Sequence, residues 1–259
     1  MITIGIDLGT QSVKVVLLKD GEVLSRNKAF SGFDPTKAAE KAVGDALKKA
    51  KISLEEVNHV TATGSGMEMA PYAKSTISMM SADAKAGVHI FPNARTIIDV
   101  GAEEARAVKC DANGLMMDFV VNERCAAGAG AFIEAMARAL EVKLEEMGPL
   151  SLKAERASPI NATCVIFGES DVVSLIHRQE SIPEIARAIF DAMADRVSSM
   201  VFRLGVNPDV VLVGGVAKDV GFVESLKRKL GIDILIPEHS EFVGALGAAL
   251  VAAGRVKEV

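Results

Sequence analysis

The pattern of apolar and polar positions at the start of the chain predicts a succession of short strands. Apolar and β-branched runs cover residues 2–6 and 13–18. A third strand begins at 21–24, directly after Asp20-Gly21, a dipeptide typical of tight hairpin turns. The chain therefore opens on three consecutive strands joined by tight turns.

A helical pattern follows these strands. Residues 35–51 begin with proline and carry alanines four positions apart, which predicts a helix. A strand over 57–62 ends in the glycine turn of 63–66, and we expect residues 70–87 to be helical. The segment up to about residue 94 therefore contains both strands and helices.

The same arrangement begins again at Arg95. Residues 96–101, Thr-Ile-Ile-Asp-Val-Gly, repeat the apolar-strand–Asp–x–Gly pattern of residues 4–9. Two more strands are predicted at 105–110 and 115–121. A strand-rich unit that occurs twice, with helices interleaved, predicts an α/β protein of two lobes with a cleft between them.

The remainder of the chain is predicted to be mainly helical. The predicted helices lie near 129–141, 168–177, 182–204, 219–230 and 242–254. A break is expected around Gly148-Pro149, and a buried strand at 210–213 leads into Gly214-Gly215, with a further short strand after the next helix. We expect the following lobe boundaries: 1–94 with 243–259 for lobe I, and 95–242 for lobe II.

Composition excludes several classes of protein. The 259 residues are 49% hydrophobic and 24% charged, as in ordinary globular chains. The formal net charge is −5 with no block of like charges, which argues against a nucleic-acid partner. The sequence has neither an apolar run long enough to span a membrane nor a signal-peptide pattern at its start. We therefore expect a cytoplasmic protein with neither nucleic acid nor membrane as partner.

The first candidate site is the turn of residues 7–12, Asp-Leu-Gly-Thr-Gln-Ser. It lies between two predicted strands, so it is a hairpin turn, and the sequence contains no P-loop motif. Backbone N–H groups at such a tip, with the hydroxyls of Thr10 and Ser12, can wrap a phosphate. Asp7 can hold a hydrated Mg²⁺. A tight hairpin with a capping aspartate would account for the same residues.

Two further turns strengthen the nucleotide interpretation. Asp99 and Gly101 repeat the Asp–x–Gly pattern, and two such acids, one in each lobe, would face each other across the cleft and grip one polyphosphate with its metal. The turn of 213–216 follows a buried strand and precedes a helix, where a nucleotide's sugar or base can lie against backbone.

This layout resembles that of the actin, Hsp70 and sugar-kinase superfamily. The resemblance implies a two-lobed, ribonuclease H-like α/β fold that binds ATP with Mg²⁺ in the cleft. The cofactor-binding residues that it implies are Gly9, Thr10, Gln11, Ser12, Lys14, Gly101, Gly214, Gly215 and Val216. Gly128 and Gly130, which closely follow Cys125, are further cofactor-binding candidates. Lys14 faces either phosphate or solvent.

The cysteines suggest a second cofactor. Cys125 directly precedes a predicted helix, and Cys164 lies in the segment Asn-Ala-Thr-Cys-Val-Ile-Phe-Gly-Glu-Ser. Cytoplasmic cysteines are not expected to form disulfides, and a thiolate at a helix N-terminus is stabilised by the helix dipole. A [4Fe–4S] cluster needs four thiolates, which two chains with two each would supply. Alternatively, both cysteines are small core residues.

Both cysteine segments and the three nucleotide motifs resemble those of the BadF/BadG/BcrA/BcrD family of ATPases. This family comprises the activators of 2-hydroxyacyl-CoA dehydratases and the ATPase subunits of benzoyl-CoA reductase. The resemblance implies that Cys125 and Cys164 are ligands of a cluster shared between two subunits, in a homodimer or in a heterodimer with a related ATPase subunit. It further implies a ferredoxin or flavodoxin as electron donor, lobe rotation driven by ATP, and a CoA-ester reductase or dehydratase as electron acceptor.

The second turn departs from the dehydratase activators, which typically carry Asp-x-Gly-Gly-Gln-Asp there. The sequence Asp-Val-Gly-Ala-Glu-Glu at residues 99–104 instead resembles the D-type ATPase chain of benzoyl-CoA reductase. Glu103 would then orient or deprotonate the attacking water, with Asp7 and Asp99 as the other catalytic candidates. A solvent-facing acidic pair is the alternative. We therefore expect a subunit of the benzoyl-CoA reductase type.

Two other functions are compatible with these motifs. The first is a small-molecule kinase of the same superfamily, since many sugar kinases begin with a segment such as residues 5–10. The second is an actin-like regulatory or assembly ATPase, which would have no redox activity. Cys110 matches no ligand motif, and the four histidines have no metal-binding spacing.

Overall fold

The computed structural model describes residues 1–122, 129–161 and 164–257. The strands among these residues are β1 (Ile2–Leu8), β2 (Ser12–Lys19), β3 (Glu22–Phe30), β4 (His59–Thr63), β5 (Ser75–Thr76), β6 (Thr96–Val100), β7 (Ala105–Cys110), β8 (Met116–Val121) and β9 (Val210–Val213). The α-helices are α1 (Pro35–Ala50), α2 (Met79–Ile90), α3 (Gly130–Ala139), α4 (Leu144–Ser151), α5 (Val165–His177), α6 (Ile182–Leu204), α7 (Val220–Leu230) and α8 (Val243–Lys257).

The chain divides into two compact units. Unit 1 comprises Met1–Ile97, Val108–Met117 and Glu241–Val259, and unit 2 comprises Ile98–Ala107 and Asp118–Ser240. The division passes through β6, β7 and β8, and residues 108–117 group with unit 1.

The sheet of unit 1 has the strand order β3-β2-β1-β4-β5. β1 pairs antiparallel with β2, where Asp7 lies opposite Lys14, and parallel with β4, where Asp7 lies opposite Thr63. Asp7 therefore sits near the carboxyl end of the central strand of the sheet.

The two faces of β1 are buried against different helices. Ile4 and Ile6 are fully buried in a core that includes residues of α1. Gly5 faces α8, and a β-carbon there would lie 1.9 Å from the carbonyl oxygen of Ala245. Only glycine allows the backbones of β1 and α8 to approach this closely.

A second sheet has the order β8-β7-β6-β9, and most of its residues belong to unit 2. Helices α3 to α7 all contribute to its core, which includes the fully buried side chains of Phe132, Phe190 and Phe222. The strand expected after residue 230 is reduced to a single bridge between Val211 and Leu235.

Two sequence-based predictions about helices are wrong. The helix predicted over 70–87 begins at Met79, because the Ser78 hydroxyl accepts a hydrogen bond from the Ser81 N–H at 3.1 Å and caps it there. Residues 75–76 pair with β4 as β5 instead.

The predicted break at Gly148-Pro149 lies inside α4. A β-carbon on Gly148 would lie 2.7 Å from Oδ1 of Asp219, so the glycine allows α4 to pack closely against the start of α7. This tertiary packing overrides the local helix-breaking preference of the two residues. Among the described helices, none has the length and apolar content that a membrane-spanning segment requires.

Candidate functional site

The hairpin predicted for residues 7–12 is confirmed. β1 and β2 are antiparallel, and Gly9, Thr10 and Gln11 connect them, with Thr10 and Gln11 exposed at the tip. Ser31 braces this turn from the end of β3, since its hydroxyl donates to the Gly9 carbonyl at 2.7 Å and its N–H donates to the Gln11 carbonyl at 3.1 Å. The tip is therefore held from behind while its outer side stays open.

Lys14 lies directly across the strand pair from Asp7. Its Nζ is 3.3 Å from Oδ2 of Asp7, and both side chains are 17% exposed. Of the two orientations left open by the sequence, Lys14 faces the carboxylate and the turn and does not extend into solvent. The first turn thus carries a partly buried carboxylate–ammonium pair.

The second turn is closed by a hydrogen bond from the Gly101 N–H to the Glu104 carbonyl at 2.9 Å. Arg106 lies across it with its side chain 9% exposed, and its Nε donates to Oδ2 of Asp99 at 3.0 Å. A second guanidinium nitrogen donates to the same oxygen, while Nη1 donates to Oε1 of Glu104 at 3.1 Å. The predicted acidic pair is therefore split, because Glu104 is bound to Arg106 whereas Glu103 is exposed.

Replacing Arg106 with methionine should destabilise the protein strongly. The change leaves the buried Asp99 carboxylate without its guanidinium, and breaking a buried ion pair costs about 3 kcal/mol or more. Urea unfolding measures this loss in the free energy of unfolding. Arg106→Lys, which keeps the charge, should lose less; equal losses would mean that the charge of Arg106 is not what stabilises Asp99.

The two aspartates have matching surroundings. Gly64 follows β4 with φ +95°, and a β-carbon on it would lie 2.6 Å from Oδ1 of Asp7. Gly214 follows β9 with φ +90°, and its β-carbon would lie 2.3 Å from Oδ1 of Asp99. Each carboxylate therefore packs against a glycine with positive φ. A residue with a side chain at either glycine position would displace the carboxylate.

The start of α3 joins two of the predicted motifs. The N–H groups of Gly130 and Ala131 donate to the carbonyls of Gly101 and Ala102 at 2.9 and 2.8 Å. A β-carbon on Gly130 would lie 3.2 Å from Cγ2 of Val216. Gly101, Gly130 and Val216 are thus brought together, and these two N–H groups are already used within the protein.

The neighbouring glycines 214 and 215 have different surroundings. The Gly214 N–H donates to the Ser240 carbonyl at 3.0 Å, so this residue is tied into the fold. Gly215 is exposed, and apart from its two chain neighbours no described residue has an atom within 4 Å of the position of its β-carbon. Gly215 is therefore the residue of this turn whose surface is open.

Cys164 is the residue directly before α5 and is partly exposed. Four residues on, Gly168 packs on Phe132 of α3, since a β-carbon there would lie 2.8 Å from the phenyl ring. The first turns of α3 and α5 therefore touch. Cys125 and Gly128, predicted to bind the cluster and a cofactor, lie outside the described residues.

Cys110 has a different environment from Cys164. It is buried, its thiol is 3.8 Å from the Ala94 carbonyl, and burial raises its pKa. It is a core thiol. Among residues 1–122, 129–161 and 164–257, no group of three or more histidine, cysteine or acidic side chains is placed to hold a metal ion.

Ser31 and Arg106, whose side chains bond to the two turns, are not among the residues predicted from the sequence. Arg106 could have been found, because it follows Asp99 by seven positions, as Lys14 follows Asp7 in the first copy of the repeat. Ser31 reaches the first turn through tertiary packing, which no local pattern records.

Comparisons with known structures define the class of the protein. A ROK family glucokinase from Streptomyces griseus aligns with a TM-score of 0.64 at 15% identity, over 98% of this chain and 100% of that chain, which shows the fold alone. Component A of (R)-2-hydroxyglutaryl-CoA dehydratase from Acidaminococcus fermentans aligns with a TM-score of 0.95 at 33% identity, over 99% of both chains. The fold is that of the actin-like and sugar-kinase-like ATPases, as predicted.

The family follows from the sequence matches. The chain belongs to the BadF/BadG/BcrA/BcrD ATPase family, whose profile matches residues 4–252. An activator of 2-hydroxyisocaproyl-CoA dehydratase from Clostridium difficile, solved with bound ADPNP, is 36% identical with a TM-score of 0.93, over 100% of this chain and 96% of that chain. The D-type chain of benzoyl-CoA reductase from Thauera aromatica is 33% identical, over 98% of this chain and 94% of its own length.

Proposed function

We propose that this protein is an ATP-driven electron donor to an enzyme that acts on a CoA thioester. The observation that supports this most directly is the junction between the second turn and α3, where Gly130 and Ala131 donate to Gly101 and Ala102. It links a candidate phosphate turn to the helix that follows the segment of Cys125. Membership of the ATPase family supports the nucleotide half of the proposal.

Two kinds of electron acceptor are supported by separate observations. The segment of residues 99–104 resembles the D-type chain of the reductase and favours benzoyl-CoA reductase. Sequence identity is somewhat higher to the dehydratase activator, at 36% against 33% for the reductase chain, and favours a 2-hydroxyacyl-CoA dehydratase. We propose the reductase as the first candidate and the dehydratase as the second.

The residues of both turns suit ATP and Mg²⁺. The carboxylates of Asp7 and Asp99 are hard oxygen donors of the kind that hold hydrated Mg²⁺. Backbone N–H groups at the exposed tip formed by Thr10 and Gln11 would contact phosphate. Glu103 is exposed at its turn and is the acid we propose to orient the attacking water.

The cysteine segments suit an iron–sulfur cluster shared between two subunits. Cys164 is partly exposed at the start of α5, whose dipole would stabilise a thiolate there. With Cys125, each chain offers two thiols, so a homodimer, or a heterodimer with a related ATPase subunit, would supply four. When bound, a [4Fe–4S] cluster would supply a store for one electron, received from a ferredoxin or flavodoxin.

The junction at α3 gives these residues a way to act together. Nucleotide at the second turn would shift the carbonyls of Gly101 and Ala102, and α3 is hydrogen-bonded to them. Such a shift would move the start of α3 and the cysteine segment before it. Hydrolysis of ATP by water to ADP and phosphate would in this way change the surroundings of the cluster from which one electron passes to the acceptor.

Purification without oxygen tests the proposed function. We expect a brown protein that absorbs near 400 nm, contains iron and sulfide at about one cluster per two chains, and hydrolyses ATP. Reduced protein should pass electrons to its CoA-thioester enzyme only with ATP. A colourless, iron-free protein that phosphorylates a sugar would instead identify a kinase, and filaments without redox activity would identify an assembly ATPase.

Replacing Glu103 with alanine should slow ATP hydrolysis and leave folding intact. The side chain is exposed, so its removal has little effect on Tm, whereas loss of the group that orients water should lower turnover at least about tenfold. Phosphate release under saturating ATP measures the effect, with Glu40→Ala, at an exposed position of α1, as the control. Equal turnover in both variants would exclude the proposed role of Glu103.

A further inference from the structure

Ser31 lies directly behind the first turn, at the point where β3 ends. It is only 3% exposed. Its hydroxyl donates to the Gly9 carbonyl at 2.7 Å, and its N–H donates to the Gln11 carbonyl at 3.1 Å. These two carbonyls stand on either side of Thr10, the exposed residue at the tip. One buried serine therefore holds the turn at two points.

The two hydrogen bonds fix the orientation of two peptide groups. In a planar trans peptide, the carbonyl of one residue and the N–H of the next point in opposite directions. Because the Gly9 carbonyl is directed to Ser31, the Thr10 N–H points away from Ser31. The Gln11 carbonyl is also directed to Ser31, so the Ser12 N–H points away from it too. Ser31 thus decides which way these donors face.

Regular elements hold Ser31 itself from both sides. The preceding residue, Phe30, lies opposite Ser12 in the antiparallel pairing of β2 and β3. Gly32 follows with a φ of +58°, and two residues later the Asp34 side chain caps the start of α1. A group that must hold another in place within a fraction of an ångström acts best from such rigid elements. Ser31 therefore meets the structural requirement for a residue that positions the turn.

We infer that Ser31 is a positioning residue that presets the backbone donors of the first turn for the phosphates of the nucleotide. Backbone N–H groups that converge at a turn bind an anion, and a site that is ordered beforehand loses less conformational freedom when the ligand binds. Without the Ser31 hydroxyl, the peptide between Gly9 and Thr10 could rotate in the free protein, and binding would have to restore it. This inference rests on the proposed function, since it concerns the same phosphate turn.

The affinity for ADP tests this inference. In Ser31→Ala the Gly9 carbonyl loses its hydroxyl donor, while the backbone bond from residue 31 to the Gln11 carbonyl is kept. Titration calorimetry should then show a dissociation constant for ADP raised about threefold to tenfold, the value of one hydrogen bond. A Tm measurement on the same sample records any loss of stability.

Ser25 provides a matched control on the same strand. It is 4% exposed, and its hydroxyl also donates to a backbone carbonyl, that of Ala46 in α1, at 2.9 Å. Ser25→Ala therefore removes the same kind of buried hydrogen bond without touching the turn. It should lower Tm about as much as Ser31→Ala does and leave the affinity for ADP unchanged. If Ser31→Ala likewise lowers only Tm, the hydroxyl merely stabilises the fold and the inference is wrong.

Ser31→Thr supplies the rescue, because threonine keeps the hydroxyl and is favoured in strands. It should bind ADP as tightly as the unmodified protein. A folded Ser31→Thr that binds as weakly as Ser31→Ala would show that the hydroxyl does not position the turn. The comparison with Ser25→Ala decides the matter if Ser31→Thr fails to fold.

The outcomes also separate this inference from the proposed function. If the unmodified protein binds no ADP, the proposed function fails, and the role of Ser31 with it. If the unmodified protein binds ADP and Ser31→Ala binds it equally tightly, only the role of Ser31 fails.

Discussion

Replacing Cys164 with serine should remove nearly all iron from protein purified without oxygen. A cubane cluster needs four thiolates, and each chain offers Cys125 and Cys164, so one substitution removes two ligands at once from a homodimer. Iron and sulfide analysis with the absorbance near 400 nm measures the loss. In a heterodimer only one ligand is lost, and a damaged cluster would partly persist.

The matched control is Cys110→Ala. This thiol is buried in the core and has a raised pKa, so its loss should leave iron content unchanged. The Cys164→Ser dimer should also dissociate more easily, because metal–thiolate bonds would help to hold the two chains together. ADP binding should survive and shows that the variant is folded. Full iron and colour in Cys164→Ser would end the shared-cluster hypothesis.

The features that the sequence predicted correctly are encoded within a few neighbouring residues. The turn of residues 7–12 was identified from two flanking β-branched runs and an Asp–x–Gly sequence, and its copy at 99–104 from the same pattern. Helix α1 begins at Pro35, as predicted. Local backbone preferences specify such elements because they agree with the tertiary fold there.

The features that the sequence did not predict depend mainly on residues far apart in the chain. Gly148-Pro149 has the local pattern of a helix break, yet packing of α4 against the start of α7 keeps it helical. Ser31 reaches the carbonyl of Gly9, 22 positions earlier in the chain, only because β3 pairs with β2. Arg106 is the exception, since it lies only seven residues after Asp99 and repeats the spacing of Asp7 and Lys14.

Replacing Gly215 with valine should weaken ATP binding by about tenfold to a hundredfold without unfolding the protein. Gly215 is exposed, and apart from its two chain neighbours no described residue has an atom within 4 Å of its β-carbon position, so the new side chain extends into solvent in the free protein. A nucleotide that lies against this backbone would collide with it, and overpacking of this kind costs about 1–3 kcal/mol. Calorimetry with ADP, paired with a Tm measurement, records both effects.

The adjacent Gly214 shows why position 215 gives the clearer test. A β-carbon on Gly214 would lie 2.3 Å from Oδ1 of Asp99, at a φ of +90° that favours glycine, so Gly214→Ala should lower Tm as well as affinity. Gly9 has a related difficulty, since its β-carbon would lie 3.0 Å from the Ser12 carbonyl and strain the first turn itself. Only Gly215→Val separates ligand contact from folding. If that variant keeps both its Tm and its full affinity for ADP, the nucleotide does not lie against the turn of residues 213–216.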